Sequence, residues 1–194
     1  MNFINEVLFV GIVESLSESL VDEVTRPIVR LTSYNSVKKD WNKNIPVLIE
    51  NDNTIRQLQS MVPGDILLVE GCASSIKDFG NCIIAEDIVE LSKNKGNSDM
   101  SFRKITLFDS GNLINVSIFK GNVVSLSKDK KNVKICLERK HAKRNSLKKF
   151  DTLSAFIFND VPVEQGDTVI FSGKVADNGI MFGEIEIIKK GDPE

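Results

Sequence analysis

Residues 4–16 of the chain read INEVLFVGIVESL, and residues 114–126 read INVSIFKGNVVSL. Without a gap, Ile, Asn, Phe, Gly, Val, Ser and Leu coincide, and Leu8 faces the similar Ile118. Chance does not explain this agreement between two stretches of one chain. The sequence therefore predicts a structural unit that is present twice.

The later parts of the two units also match. GDILLVEG at residues 64–71 faces GDTVIFSG at 166–173, and in both a Gly-Asp turn leads into an apolar strand. Between these anchors, IPVLI at 45–49 faces SAFIF at 154–158, which sets Pro46 against Ala155. Each unit then contains five predicted strands, at residues 4–16, 26–35, 44–50, 65–74 and 82–90, and at residues 114–126, 131–139, 152–158, 167–176 and 180–188.

Glycines lie inside the long first strand of both units, at Gly11 and Gly121. A glycine within a strand usually marks a bulge or a sharp bend. A long, bent strand that is shared by two sheets closes the corner of a small barrel. We therefore expect an all-β protein of two five-stranded barrels in tandem.

One short helix is predicted between the third and fourth strands of the first unit, over residues 54–61 with Asn53 as its cap. The second unit has only residues 159–165 there, which is too short for a regular helix. We divide the chain into a first domain at residues 1–91, a linker and connecting segment at 92–113, and a second domain at 114–194. Residues 92–99 are polar and typical of a flexible linker.

Charge is divided unevenly between the two halves. Residues 1–91 hold 7 Lys/Arg and 14 Asp/Glu, a balance of 7 − 14 = −7, whereas residues 92–194 hold 18 and 13, a balance of 18 − 13 = +5. Such a split is typical of a chain whose basic half binds a polyanion. No apolar run is long enough to cross a membrane, and no signal peptide is visible. Three widely spaced cysteines favour neither a disulfide framework nor a zinc site, so we expect a cytoplasmic protein without cofactor or metal.

The order of motifs in residues 4–91 resembles that of the bacterial single-stranded DNA-binding proteins. The similar features are the start Ile-Asn-x-Val-x-Phe-x-Gly, the segment Pro63-Gly64-Asp65, and the closing Ile-Ile-Ala-Glu-Asp-Ile at residues 83–88. The resemblance implies OB-fold barrels, a cytoplasmic location and assemblies with four OB folds. Because this chain has two predicted barrels, we expect a homodimer. Members of this family usually carry a long tail with an acidic tip after the last strand, and we expect no such tail here, because the sequence ends at Lys190-Gly191-Asp192-Pro193-Glu194.

Single-stranded nucleic acid is bound by cations along a groove and by aromatic faces on which bases stack. The second unit has a loop at residues 139–149 with six Lys/Arg and no Asp/Glu. The equivalent loop of the first unit contains the only Trp and the only Tyr. The candidate nucleic-acid-binding residues are Arg30, Tyr34, Lys38, Lys39, Trp41, Lys43, Phe79, Lys134, Arg139, Lys140, Lys143, Arg144, Lys148, Lys149 and Phe150.

Some of these aromatic residues admit a structural alternative. The gapless alignment sets Trp41 against Phe150, each at the start of the third strand, where a ring either stacks on bases or plugs the end of the barrel. Stacking is favoured for Trp41, which lies among polar neighbours. Phe79, in the turn before the fifth strand, is either a second platform or a cap on the barrel. Of Phe156 and Phe158, we expect at least one to lie in the core.

We therefore expect binding of single-stranded DNA with little sequence preference, in DNA replication, repair or mobile-element maintenance. An accessory primosomal OB protein, an RNA-binding protein and an OB-fold protein-interaction scaffold are alternatives, because one fold hosts many functions. Replication proteins are candidate partners. We expect no enzymatic activity. One histidine, no glycine-rich phosphate loop and no GxSxG or HExxH motif leave no catalytic constellation to identify.

Overall fold

The computed structural model describes residues 4–21, 23–35, 40–76, 80–94, 96, 99, 103–104, 107, 113–138 and 150–191. Strands dominate, as the alternating and apolar segments predict. The elements, in chain order, are β1 (Asn5–Val21), β2 (Val24–Asn35), β3 (Asp40–Ile49), α1 (Asp52–Leu58), β4 (Ile66–Ile76), β5 (Gly80–Ser92), β6 (Asn115–Leu126), β7 (Asn132–Glu138), β8 (Phe150–Ile157), β9 (Thr168–Val175), a 3-10 helix (Asp177–Gly179) and β10 (Met181–Lys189). No helix in these ranges is long and apolar enough to span a membrane.

The strands form two five-stranded units with the same connectivity. In the first, β1 pairs with both β2 and β4, β2 pairs with β3, β3 runs parallel to β5, and β5 pairs with β4. In the second, β6 to β10 repeat these five pairings. The pairings of each unit lead back to its first strand. The expected all-β tandem of OB folds is confirmed, and we call the two units barrel one and barrel two.

A bulge marks the bend of each long first strand, two to four residues after the predicted glycine. The register shifts between Val13 and Ser15 in β1 and between Val123 and Ser125 in β6. Gly11 itself lies where β1 leaves β4 for β2, and a Cβ there would come within 3.0 Å of the carbonyl oxygen of Thr32. The glycine thus permits a close approach, and the following residues supply the bulge.

A second bulge corrects the gapless alignment of the third strands. Leu31 pairs with Ile45 but Ser33 pairs with Asn42, so β3 holds one residue more than β2 at this point. The extra residue lies next to Asn44, whose φ of 57° is left-handed. Before the bulge, Trp41 and Phe150 are equivalent, because they pair with the equivalent residues Tyr34 and Glu138.

Beyond the bulge, the true equivalence between β3 and β8 differs by one residue from the gapless alignment. Arg30 and Lys134 are equivalent, since each pairs with the serine of the repeated motif, and they face Pro46 and Ser154 across the third strand. The alignment of Pro46 with Ala155 was therefore wrong by one residue. A slip of one residue in a strand exchanges its two faces, so this offset decides which side chains of the two third strands are equivalent.

One apolar core runs through both barrels. It contains Val7, Phe9 and Leu67 in barrel one and Phe119, Phe171 and Ile185 in barrel two. The rings of Phe119 and Phe171 stack with centroids 4.7 Å apart and have no exposed surface. A continuous core stabilises the two small barrels against each other.

Helix α1 begins earlier than predicted. It spans Asp52–Leu58, and its cap is Asn51, whose side-chain oxygen accepts a hydrogen bond of 2.9 Å from the backbone N–H of Asn53. Asn53 was therefore wrong as the cap. The helix also ends earlier than predicted, at Leu58. Ile55 and the buried Leu58 contact the core from the helix, and Met61 is buried three residues beyond its end.

The barrels are joined by their first strands. β1 and β6 pair antiparallel over five residues, from Asn5 opposite Phe119 to Phe9 opposite Asn115. The repeated Ile-Asn of the sequence lies at this junction. The side chain of Asn5 bonds both backbone groups of Ala73 at 2.8 Å, and Asn115 does the same to Val175. The repeat therefore encodes a local approximate two-fold relation between the barrels.

Candidate nucleic-acid interface

Four paired residues cross the outer face of barrel two. Asn132 on β7 pairs with Phe156 on β8, Phe156 with Phe182 on β10, and Phe182 with Lys174 on β9. We call these four residues the barrel-two row. The two phenyl rings stack with centroids 5.0 Å apart, and Phe158 meets Phe182 edge to face at 4.3 Å. The result is a cluster of three aromatic rings on a sheet surface, of which Phe158 is 40% exposed.

The alternation of β8 places these rings outside. Asp151, Leu153, Ala155 and Ile157 are buried, while the intervening side chains point away from the core. Phe156 is half-buried and Phe158 is exposed, and neither belongs to the core. The expectation that one of the two fills the core was therefore wrong, because β8 already offers its inward positions to smaller aliphatic residues.

The equivalent row of barrel one is closed. Ile28, Leu48, Ile84 and Cys72 pair with one another in the same order, and all four are buried in an aliphatic cluster. The row is covered in barrel one and not in barrel two because the strands of barrel one are longer. β1 has 17 residues and β2 has 12, whereas β6 has 12 and β7 has 7. The longer hairpins of barrel one contribute Val21 and Ile76 to this cluster. The same sheet face is thus aliphatic and covered in barrel one, and aromatic and open in barrel two.

Cations border the aromatic cluster. Lys134 is exposed and lies on the same face of β7 as Asn132, and it pairs with Ser125 and Ser154. Lys131 donates hydrogen bonds to the carbonyl oxygen of Phe158 at 3.1 Å and to Asp160 at 2.6 Å. This bond from Lys131 lowers the pKa of the Asp160 carboxyl, which favours the ionised carboxylate. Lys131 is therefore held beside Phe158 and paired with Asp160, whereas Lys134 is exposed on the strand next to β8.

Trp41 has a different environment from its equivalent, Phe150. Its ring meets Tyr34 edge to face at 5.6 Å and lies half-buried against an apolar cluster. The ammonium of Lys104 stands over the ring, 5.1 Å from the centroid, within the range of a cation–π contact. Phe150, in contrast, is 57% exposed. The two rings thus occupy the same topological place, but only Phe150 presents most of its surface to solvent.

Contacts between the barrels fix the third strands. The backbone N–H of Lys43 donates to Asp177 at 2.7 Å, and Asn44 donates to Asn178 at 2.6 Å, which ties β3 to the β9–β10 turn. Reciprocally, the Asn81 side chain bonds the backbone N–H and carbonyl of Ser154 on β8. Because the ties hold both third strands, the outer faces of the barrels have a fixed relation there.

The remaining described candidate is Arg30, which donates a hydrogen bond of 2.8 Å to the side chain of Asn44. Arg30 and Lys134 hold equivalent places in the two barrels, and Arg30 is half-buried whereas Lys134 is exposed. The other candidates lie outside the described residues. These are Lys38, Lys39, Phe79, Arg139, Lys140, Lys143, Arg144, Lys148 and Lys149.

Comparison with solved structures identifies the architecture. A deletion mutant of the single-stranded DNA-binding protein from Thermus aquaticus superimposes with a TM-score of 0.60 and 12% identity, over 98% of this chain and 97% of the other. The wild-type protein from Thermus aquaticus gives a TM-score of 0.60 at 11% identity, over 100% and 97%. The chain has the fold of these single-stranded DNA-binding proteins. No protein-family model matches it, and no curated protein sequence does.

The coverage shows that the likeness to the Thermus aquaticus fold extends through both barrels and is not confined to one. At 11–12% identity it establishes the fold alone. The residues that distinguish the two barrels must therefore be derived from this chain itself.

The sequence contained a signal for the aromatic cluster that the alignment concealed. Phe156, Phe158 and Phe182 lie on strands that are distant in sequence, and only the parallel pairing of β8 with β10 brings them together. Polar Thr152 and Ser154 alternate with apolar Leu153 and Ala155 in the sequence. Continued along the strand, this alternation places Phe156 and Phe158 on the outward face.

Proposed function

We propose that the protein binds single-stranded DNA with little sequence preference. The observation that carries this proposal is the open barrel-two row, in which Phe156 and Phe182 stack on the outer sheet face with Phe158 beside them. Solved structures with the same fold are of single-stranded DNA-binding proteins from Thermus aquaticus, which supports the same ligand class. The proposed role is binding rather than catalysis.

Unpaired bases fit this surface for a physical reason. A base within a duplex stacks on its neighbours and has no free face, whereas a base in a single strand can lie on a phenyl ring. Every base has a π-face, so stacking on Phe158 or Phe182 does not select a sequence. Little base-specific hydrogen bonding is required of such a site.

We propose that basic residues of barrel two bind the phosphates of the strand. The basic cluster, Arg139, Lys140, Lys143, Arg144, Lys148 and Lys149, lies in the chain between β7 and β8, the two strands that carry Lys134 and Phe156. We propose that these cations track the backbone of the strand as it crosses barrel two. Lys38, Lys39, Lys43 and Arg30, with Tyr34, Trp41, Phe79 and Phe150, complete the proposed surface.

We further propose two domains, at residues 1–91 and 114–194, joined by the segment 92–113. The protein acts as a homodimer with four OB folds in DNA replication, repair or mobile-element maintenance, and replication proteins are proposed partners. An exposed apolar pair supports self-association. Leu8 and Val116 face each other across the β1–β6 junction and are 37% and 46% exposed.

Fluorescence anisotropy of a labelled oligo-dT tests the proposal. We expect saturable binding at 50 mM salt, competition by unlabelled oligo-dT, and poor competition by a duplex of equal length. Equal competition by the duplex would contradict a stacking site. Equal competition by oligo-rU would favour RNA as an additional ligand.

A further inference from the structure

Leu107 lies outside both barrels in the chain and yet is fully buried. It packs on the outer face of barrel one against Val10, Ile12 and Ile66, and Leu113 packs beside it. Residues 92–113 are not part of the repeat. A side chain from this connecting segment has therefore been accommodated on a sheet face that would otherwise be apolar and exposed.

Polar contacts hold the same segment on barrel one. Arg103 is 6% exposed, and its Nε donates a hydrogen bond of 2.7 Å to the carbonyl oxygen of Gly64. Its Nη2 also donates to the hydroxyl of Ser92 at 3.1 Å. A buried guanidinium whose Nε and Nη2 both donate hydrogen bonds to barrel one indicates a specific, docked conformation rather than a loose covering. We call Arg103, Lys104, Leu107 and Leu113 the docked residues.

Barrel two has no counterpart to this docking face. The residues equivalent to Val10, Ile12 and Ile66 are Lys120, Asn122 and Thr168, by their matching places in the β1–β4 and β6–β9 registers. They are polar, and Thr168 donates to Asn122 at 2.9 Å on the surface. The face of barrel one on which the docked residues lie is thus apolar, whereas the equivalent face of barrel two is polar.

The docked residues reach Trp41. The Trp41 ring packs against the same apolar cluster as Leu107 and Leu113, and Lys104 places its ammonium 5.1 Å from the ring centroid. A stacked base would lie on such a ring at its van der Waals distance, so a base and the Lys104 side chain compete for the same face. A base can stack on this face of Trp41 only after the Lys104 ammonium has left it.

We infer that the docked residues are an intramolecular occupant of barrel one, which withholds Trp41 from nucleic acid and leaves barrel two as the open site. This inference rests on the proposed function. Binding of a single strand to barrel two does not require undocking. A strand that extends onto Trp41 does, so barrel one is engaged at a free-energy cost and at higher ligand concentration.

Trp41 is the only tryptophan, and its fluorescence therefore reports on this face alone. Two variants weaken the docking. Lys104→Ala removes the cation and leaves Leu107 in place, and the double variant Lys104→Ala, Leu107→Ala also removes the buried leucine. Leu126→Ala is the matched control, because Leu126 packs against the core in barrel two and does not belong to the apolar cluster of Trp41.

Acrylamide quenching and labelled oligo-dT binding are measured on the four proteins. We expect low acrylamide quenching in the unsubstituted chain and the control, and stronger quenching in both docking variants. Oligo-dT should quench Trp41 only weakly in the unsubstituted chain. In the double variant, the quenching midpoint should fall at an oligo-dT concentration at least about five-fold lower, which is the gain in affinity for one stacked base at the low end of its range.

Anisotropy and Trp41 quenching together distinguish failure of the proposed function from failure of this inference alone. If anisotropy shows no binding of oligo-dT to the unsubstituted chain, the proposed function fails and the inference with it. If oligo-dT binds but quenches Trp41 to the same extent and with the same midpoint in all four proteins, the occupant does not withhold Trp41, and only this inference is overturned. Lys104→Ala retains the buried leucine and keeps the test valid if the double variant unfolds.

Discussion

The hydroxyl of Ser74 in barrel one donates a hydrogen bond of 2.6 Å to the carboxylate of Asp151 in barrel two. Both residues are 1% exposed. Asp151 immediately follows Phe150, so this buried bond holds the start of β8 against the turn end of β4. The junction therefore consists of more than the paired first strands.

Loss of this carboxylate should destabilise the protein. Asp151→Ala leaves a buried donor without its partner, which costs about 1–3 kcal/mol in the free energy of unfolding. Urea unfolding measures the change. Asp160→Ala is the control, since it removes an acidic residue whose side chain is 94% exposed, and we expect little change there. Equal effects of the two substitutions would show that Asp151 contributes no buried contact of consequence.

The aromatic cluster should contribute to binding and not to stability. Phe158→Ala removes an exposed ring and should weaken oligo-dT binding by about 1–3 kcal/mol, the value of one stacked base. Phe171→Ala removes a ring of the core and should instead lower the free energy of unfolding by about 3–5 kcal/mol. Anisotropy and thermal melting on both variants separate the effects. A large loss of stability with normal affinity in Phe158→Ala would assign that ring to the fold.

The basic loop should govern the salt dependence. For a single strand, the slope of log affinity against log salt is about −0.7 per neutralised phosphate. The double variant Lys143→Ala, Arg144→Ala should therefore flatten the slope by about one unit or more if both cations contact phosphates. Arg56→Ala, Lys189→Ala removes two charges from helix α1 and the end of β10 and should leave the slope in place. Identical slopes in the two double variants would mean that the loop is a solvated hairpin.

Acid should weaken the fold through Asp167. Its burial opposes ionisation, but hydrogen bonds from the backbone N–H groups of Gly191 and Glu164 and from Lys190 outweigh this, and the pKa of the carboxyl lies below the ordinary 3.8. A folded-state pKa below the unfolded value stabilises the protein above the unfolded pKa, and this contribution is lost as pH falls through the folded pKa. Asp167→Asn should therefore unfold with less dependence on pH below about 4, as urea titrations at several pH values would reveal. Lys190→Ala should give an intermediate slope, and an unchanged slope in both would exclude Asp167 as the source.

Dimerisation is tested by light scattering. We expect a mass of twice 21.6 kDa at micromolar concentration. Leu8→Glu should reduce it if the exposed Leu8–Val116 pair lies in the interface, whereas Leu20→Glu, at a more exposed leucine near the end of the β1–β2 hairpin, should not. A mass of 21.6 kDa with and without oligo-dT would reject the dimer.

The fold could be predicted in detail from the sequence because each strand of one barrel has an equivalent in the other. Each strand prediction was therefore supported by two different sequences. The Gly-Asp turns and the Ile-Asn starts recur in equivalent places of the two barrels. Asn5 and Asn115, for example, make equivalent hydrogen bonds to Ala73 and Val175. The extra residue beside Asn44 could not be predicted, since a bulge leaves no gap in a gapless comparison. This offset concealed that Leu48, which is buried, is equivalent to Phe156, which faces outward.

The candidate site was predicted less completely. Loop charges and isolated aromatics are visible in sequence, and Trp41 and Phe150 were correctly placed as equivalents. The contact of Lys104 with Trp41 depends on a connecting segment that the repeat does not cover. The stacking of Phe156 on Phe182 depends on a parallel pairing of distant strands, for which one sequence offers no register.

Photo-cross-linking to oligo-dT tests the central claim most directly. Ultraviolet irradiation of the complex, followed by mass spectrometry of the peptides, locates the thymines on the surface. The account predicts cross-links in peptides that contain Phe150, Phe156, Phe158 or Phe182, and their loss when excess unlabelled single strand is added but not when duplex is added. Specific cross-links confined to barrel one, with none in β8 or β10 of a saturated complex, would contradict it.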